Sequence, residues 1–178
     1  MTSRTTLDNA SHDQKFRPHV ISVLVENRVG VLARVSGLFT GRGFNIESLA
    51  VAETEEPTLS RMTIVTRGDA RIIEQVTKQL NKLIDVIKVV DLSRETFVDR
   101  ELVLVKVRAE PEQRADILRI TDIFRGNIID VSQKSYIIEV TGDGDKIRAF
   151  IDLIKPIGIL ESVRTGPVAL SRGSKAIS

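Results

Sequence analysis

The chain has 178 residues, 42% of them hydrophobic and 28% charged, a composition typical of a soluble globular protein with one medium domain or two small ones. Its formal net charge is +2 and aromatic residues make up only 4%, which argues against a basic, base-stacking surface for nucleic acid. The absence of cysteine excludes disulfides, thiolate catalysis and cysteine-ligated metals, and fits a reducing cytoplasm.

The N-terminal segment is polar and lacks the apolar core of a secretory signal. We expect residues 1–18 to form a disordered tail. A transit peptide is the alternative, which the acidic residues Asp8 and Asp13 weaken. No stretch approaches the ~18 consecutive apolar residues that a membrane helix requires.

The next 75 or so residues show apolar patterns in the order βαββαβ. Strands are predicted over 20–26, 46–52, 59–66 and 84–91. The first helix, over 31–42, has an apolar face of Val31, Leu32, Val35, Leu38 and Phe39. The second helix is capped by Asp69 and has an inward stripe of Ile72, Ile73, Val76, Leu80 and Leu83.

The same order returns after a polar linker at 93–100. Strands are predicted over 102–109, 127–132, 136–142 and 157–164, and helices over 112–125 and 146–154. The inward residues of these helices are predicted as Ile117, Leu118, Thr121, Phe124, Ile147, Phe150, Ile151 and Ile154. The segment Phe124-Arg-Gly-Asn-Ile128 repeats the end of the first helix around Gly43, which indicates an internal repeat.

The sequence therefore predicts an α+β fold of two tandem ferredoxin-like domains, at 19–92 and 101–165, followed by a polar tail at 166–178. Each would have an antiparallel four-stranded sheet with two helices on one face. Because the other face carries apolar residues and each domain is small, we expect a homodimer. Packing of the two halves of one chain is the alternative.

The turn before the first helix, Asn27-Arg-Val-Gly30, is the best candidate for a binding site. A helix start with free amides and a positive dipole suits a carboxylate or phosphate. The equivalent turn of the second copy, Glu110-Pro-Glu-Gln113, is acidic and would repel an anion. A small acidic ligand would therefore bind the first copy, although Asn-x-x-Gly is also what an ordinary turn and cap look like.

No catalytic or metal-binding constellation stands out beside this turn. His12 and His19 have no cysteine or suitably spaced carboxylate near them in the sequence, and no phosphate-binding loop is present. Gly41-Arg-Gly43 follows a helix rather than a strand, which is the wrong context for a dinucleotide fingerprint. The sequence predicts neither a catalytic residue nor a metal ligand.

Several motifs taken together resemble one family. Asn27-x-x-Gly-Val-Leu before the first helix is similar to an ACT domain, a regulatory module that binds small ligands. The longer run through Phe39, the segments Arg42-Gly-Phe-Asn-Ile-Glu-Ser-Leu49 and Leu59-Ser-Arg-Met-Thr-Ile64, and Leu170-Ser-Arg-Gly173 resemble the regulatory (small) subunit of acetolactate synthase. The resemblance runs from about His19 to Gly173.

The resemblance implies a non-catalytic cytoplasmic subunit in branched-chain amino-acid biosynthesis. Its partner would be the large catalytic subunit, which carries thiamine diphosphate, Mg²⁺ and FAD, whereas this chain carries no cofactor. The small subunit of the family activates that partner and confers feedback inhibition by valine bound between two ACT domains. The implied effector residues are Asn27, Gly30, Val31, Leu32 and Ala33 of one subunit and Asn45 and Ile46 of the other. Ala33 lacks the hydroxyl of the serine found there in some relatives.

Two other functions compete with this reading. A ferredoxin-like nucleic-acid-binding module would need exposed aromatic residues on its central strands, and the third strand offers Arg61, Met62, Thr63 and Ile64 instead. A stand-alone enzyme would have to turn over pyruvate or another 2-oxo acid without a cofactor, and we expect no such activity.

Overall fold

The computed structural model describes residues 18–174 and 176–177. The N-terminal tail expected at 1–18 lies outside this range except for Pro18. The chain divides into two compact units. The first comprises the residues up to Val98 together with those from Ala169 onward, and the second comprises Asp99–Val168.

The first unit has the predicted βαββαβ order. Its elements are β1 (Pro18–Glu26), α1 (Val31–Thr40), β2 (Ile46–Glu53), β3 (Leu59–Arg67), α2 (Ala70–Leu80) and β4 (Val86–Asp91). The four strands pair antiparallel in the order β2-β3-β1-β4, so β2 and β4 are the edges of the sheet. Both helices pack their apolar stripes on one face of this sheet, and the predicted fold class is confirmed.

The core of the first unit lies between this face and the helices. Val31, Val35 and Phe39 of α1 are buried there, against Val23 and Ile64 of the central strands. The cap predicted at Asp69 is present, since its side chain accepts a 2.8 Å hydrogen bond from the backbone N–H of Ile72.

The opposite face of the first sheet is already covered at its centre within the single chain. Ser22 and Leu24 of β1 and Thr63 of β3 lie on this face and are buried. Arg61, on the same face, donates a 2.8 Å hydrogen bond from Nη2 to the carbonyl of Ile177, which is itself buried. This face is therefore not the open aromatic surface on which single-stranded RNA stacks.

The second half of the chain repeats the pattern with an additional strand. Its elements are β5 (Phe97–Arg108), α3 (Arg114–Ile123), β6 (Asn127–Val131), β7 (Ser135–Gly142), α4 (Gly144–Gly158), β8 (Ile159–Arg164) and β9 (Val168–Ser171). The strand order is β6-β7-β5-β8, with β9 also paired to β5. The four strands predicted for this sheet are therefore corrected to five.

Two segments predicted to be irregular contain regular structure. A short 3₁₀ helix, Leu92–Arg94, extends into the predicted linker, which also contains the start of β5 at Phe97. The predicted polar tail contains β9, with Ala169 buried. Both strands are easily missed in the sequence, because polar residues flank them and neither segment sustains a period of two.

The helices of the second unit differ in detail from their predicted faces. Leu118 was expected to point inward and is 50% exposed, whereas Ile117 and Thr121 are buried and Ile120 packs against the core. α3 begins only after a separate 3₁₀ turn, Pro111–Gln113, which the sequence does not show. α4 runs past its predicted end to Gly158, with Pro156 in its last turns.

Candidate functional site at the start of α1

The turn between β1 and α1 depends on a glycine. Gly30 occupies the N-cap position of α1 with φ of +87°, a left-handed conformation that costs glycine little and most other residues more. The carbonyl of Gly30 accepts the first helical hydrogen bond, 3.0 Å from the backbone N–H of Arg34. The turn expected from Asn-x-x-Gly is present.

The first turn of α1 leaves backbone donors unused. The N–H groups of Leu32 and Ala33 have no acceptor within the described chain, and no side chain caps the helix. No acidic residue lies in this first turn. Unpaired N–H groups at the positive end of a helix dipole favour an anionic group.

Asn27 fastens this turn to the hairpin between β2 and β3. Its Nδ2 donates two hydrogen bonds of 2.9 Å, to Oε1 of Glu53 and to the carbonyl of Pro57. Its backbone N–H donates a 2.7 Å hydrogen bond to the carbonyl of Thr58. Because both side-chain donors are used, Oδ1 is the group of Asn27 that remains available to accept a hydrogen bond.

The apolar side chains of the turn divide between core and surface. Val31, one of the effector residues that the resemblance implies, is only 3% exposed, and its side chain belongs to the core. Leu32 is 43% exposed and remains available, and Ala33 is also exposed. Leu32 is thus the apolar side chain of the first helical turn that can contact a ligand.

Asn45 and Ile46 lie far from this turn in the same chain. Ile46 pairs with Thr66, which pairs with His19 near the start of β1, whereas Asn27 follows the end of β1. The position of His19 and the end of β1 at Glu26 are seven residues apart along the strand, which corresponds to about 23 Å at ~3.3 Å per residue. The structure therefore does not bring the two groups of predicted site residues together within one chain.

Two residues that the sequence interpretation missed lie beside Gly30. Arg34 donates a 2.7 Å hydrogen bond from Nε to Oδ2 of Asp85, and the backbone carbonyl of Asp85 accepts a 2.9 Å hydrogen bond from the N–H of Glu26. Arg34 could have been anticipated, because a helical side chain leans toward the N-terminus and covers the preceding turn. Nothing in the sequence pattern singles out Asp85.

The equivalent turn of the second copy is closed by its own side chain. Arg114 donates from Nε to the carbonyl of Ala109 and from Nη2 to the carbonyl of Gln133. Pro111 opens the turn and Glu112 places a negative charge there. The contrast with Gly30 supports the expectation that the first copy is the better anion site.

The described residues contain no group of three or more histidine, aspartate or glutamate side chains placed to hold a metal ion. His19 lies beside one carboxylate, with 3.6 Å between its Nδ1 and Oδ2 of Asp91. Among the described helices, none is both long enough and apolar enough to cross a membrane.

Comparison with known proteins places the chain in a family. Residues 21–88 match the family described as AHAS small subunit-like ACT domain, and residues 100–173 match the family described as small subunit of acetolactate synthase. A probable acetolactate synthase small subunit from Archaeoglobus fulgidus is 60% identical over 157 residues, which are 88% of this chain and 98% of that one. The chain belongs to the acetolactate synthase small-subunit family.

Other members agree in sequence and in structure. The acetolactate synthase small subunit of Haemophilus influenzae is 55% identical over 159 residues, 89% of this chain and 98% of that one. A crystal structure of the acetolactate synthase small subunit from Thermotoga maritima superposes with a TM-score of 0.82 at 45% identity, covering 89% of this chain and 99% of that one. As a small subunit, the chain is a non-catalytic regulatory component whose implied partner is the catalytic subunit.

Proposed function

We propose that this acetolactate synthase small subunit activates the catalytic subunit in the cytoplasm and makes it sensitive to feedback inhibition by valine. Thiamine diphosphate, Mg²⁺ and FAD would be bound by the catalytic partner. The observation that carries the proposal is the open turn at Gly30, whose helix has unpaired N–H groups at Leu32 and Ala33. Such donors suit the carboxylate of an amino acid.

The remaining contacts of valine follow from the chemistry of the turn. Oδ1 of Asn27 and strand carbonyls can accept hydrogen bonds from the ammonium group. The exposed side chain of Leu32 and the half-buried side chain of Ile46 offer an apolar contact for a branched side chain. Gly30 keeps the backbone open where the carboxylate approaches. The role of Val31 is limited to its backbone, because its side chain is in the core.

A homodimer would complete this site. β2 is an edge strand, and its last residue, Glu53, is hydrogen-bonded to Asn27. Antiparallel pairing of two β2 edges across a two-fold axis would set the start of one β2, with Asn45 and Ile46, against the end of the other and its adjacent turn. A free strand edge is suited to such pairing. The separation of these residues within one chain supports a site shared by two.

Inhibition would follow from differential binding. Valine must bind one arrangement of the dimer more tightly than another, because a ligand with equal affinity for both arrangements shifts no equilibrium. The shared site meets this requirement, since its two halves come from different chains and their separation changes with the arrangement of the dimer.

The test is reconstitution with an acetolactate synthase catalytic subunit, with acetolactate formation measured at increasing valine concentration. We expect the chain to raise the rate and valine to reduce it only when the chain is present. An unchanged rate on addition of the chain, or equal valine sensitivity with and without it, would overturn the proposal.

A further inference from the structure

The side chain of Arg34 folds back over the turn between β1 and α1, next to Gly30. Its Nη1 lies 3.1 Å from the position that a Cβ on Gly30 would occupy. Its Nε is held by Oδ2 of Asp85 at 2.7 Å, and the side chain of Asp85 is only 9% exposed. The guanidinium is thus fixed at one end, and its other end lies beside the glycine that keeps the turn open.

The Nη groups of Arg34 are available to a ligand. Neither Nη1 nor Nη2 has a hydrogen-bond acceptor among the described residues, and about half of the side chain is exposed to solvent. A guanidinium presents its N–H groups in a planar fork that matches a carboxylate. Asp85 accepts a hydrogen bond from Nε of Arg34, so the two Nη groups remain available to another acceptor.

We propose that Arg34 is a specificity-determining residue that recognises the carboxylate of the effector. This inference rests on the function proposed above. Backbone N–H groups donate hydrogen bonds to any ligand oxygen, whereas a guanidinium favours an oxygen with a negative charge. Arg34 would therefore select free amino acids over their amides or esters. Asp85 acts as a positioning residue, because its buried carboxylate holds the guanidinium over Gly30.

The test compares valine with valinamide, which keeps the side chain and the ammonium group but lacks the carboxylate charge. Both ligands are titrated calorimetrically into the full chain and into the Arg34→Gln and Asp85→Asn variants. We expect Arg34→Gln to weaken valine binding about 10- to 100-fold, the range of a charge-assisted hydrogen bond, and to leave valinamide binding unchanged. Arg34→Lys should retain part of the preference for valine.

Two controls separate a role in recognition from a structural one. Arg71→Gln changes an exposed arginine on α2 and should leave both dissociation constants unchanged. Circular dichroism checks that each variant is folded. An equal loss of valine and valinamide binding in Arg34→Gln, or no loss of either, would overturn the assignment of Arg34. Absence of valine binding to the unmodified chain would instead overturn the proposed effector site, and this inference with it.

Discussion

Asn27 donates a 2.9 Å hydrogen bond from Nδ2 to the backbone carbonyl of Pro57, so the turn between β1 and α1 is attached to the hairpin between β2 and β3. The second Nδ2 bond, to Glu53, reaches the end of the same edge strand through which we propose that the chain dimerises. The side chain of Asn27 therefore links the turn to the strand edge through which we propose that the chain dimerises.

Replacing Asn27 by Asp should weaken this attachment. Asp keeps an oxygen for the ligand but loses both donors, and it sets a second carboxylate beside Glu53. We expect the free energy of unfolding to fall by about 1 kcal/mol, since two exposed hydrogen bonds are lost. Urea denaturation measures this change. Asn127→Asp is the control, because Asn127 is exposed on β6 and the same exchange should cost less than about 0.5 kcal/mol there. Equal effects at the two positions would contradict the prediction.

The ion pair of Arg164 with Glu101 should matter for the second unit. Nε and Nη2 of Arg164 bond to the two oxygens of Glu101 at 2.6 and 2.8 Å, and the Glu101 side chain is only 6% exposed. These hydrogen bonds raise the pKa of Arg164 above its ordinary value. Arg164→Ala would leave a buried carboxylate unpaired, so we expect a loss of about 2 kcal/mol, moderated because Arg164 is half-exposed.

The exposed pair of Arg119 with Asp116 on α3 is the matched control for Arg164. Arg119→Ala should change the unfolding free energy by less than about 0.5 kcal/mol. Thermal or urea unfolding of both variants tests the contrast. Comparable losses in the two would show that the burial of Glu101 is not the source of the effect.

The contact of Arg61 with Ile177 can be tested with a double-mutant cycle. In the full chain, Arg61→Ala should reduce the unfolding free energy by about 1 kcal/mol, because it removes a hydrogen bond on a covered sheet face. In a chain shortened to end at Ser174 the same substitution should cost clearly less, because its partner is already absent. Additive effects of the substitution and the truncation would show that the contact contributes nothing.

The proposed dimer predicts different sensitivity at the two edges of the first sheet. Val51 is exposed on β2, whereas Ile87 is exposed on β4 at the opposite edge. Val51→Lys should weaken the dimer, because it would place a charged side chain on each of the paired β2 edges, and Ile87→Lys should not. Analytical ultracentrifugation distinguishes a particle of one chain from one of two. Equal dissociation by both variants would argue against pairing through β2.

Much of the fold could be predicted from the sequence because its signals are local. The apolar spacing of Val35 and Phe39, the cap at Asp69 and the glycine after β1 each determine structure within a few residues, and each prediction is confirmed. The short strand β9 and the burial of Ile177 could not be predicted in this way. Their partners, β5 and Arg61, are distant in sequence, and neither segment has a periodic pattern.

The same distinction applies to the candidate site. The residues of the turn form one segment with a recognisable pattern, so Asn27, Gly30 and Leu32 could be nominated together. Asp85 could not, because it approaches Arg34 only through the pairing of β4 with β1. The pattern placed both Val31 and Leu32 on the apolar face of α1, which is wrong for the exposed Leu32, since consecutive apolar residues do not reveal which of the two faces the core.

The most direct test of the effector site is calorimetric titration of valine into the chain and its Gly30→Asp variant. Asp tolerates a positive φ better than most residues, and its carboxylate would lie next to Arg34, where we place the carboxylate of the ligand. Gly37→Asp, with the same exchange at an open position on α1, is the control. We predict saturable binding to the unmodified chain and to Gly37→Asp, and none to Gly30→Asp. Undiminished valine binding to Gly30→Asp would contradict a site at this turn.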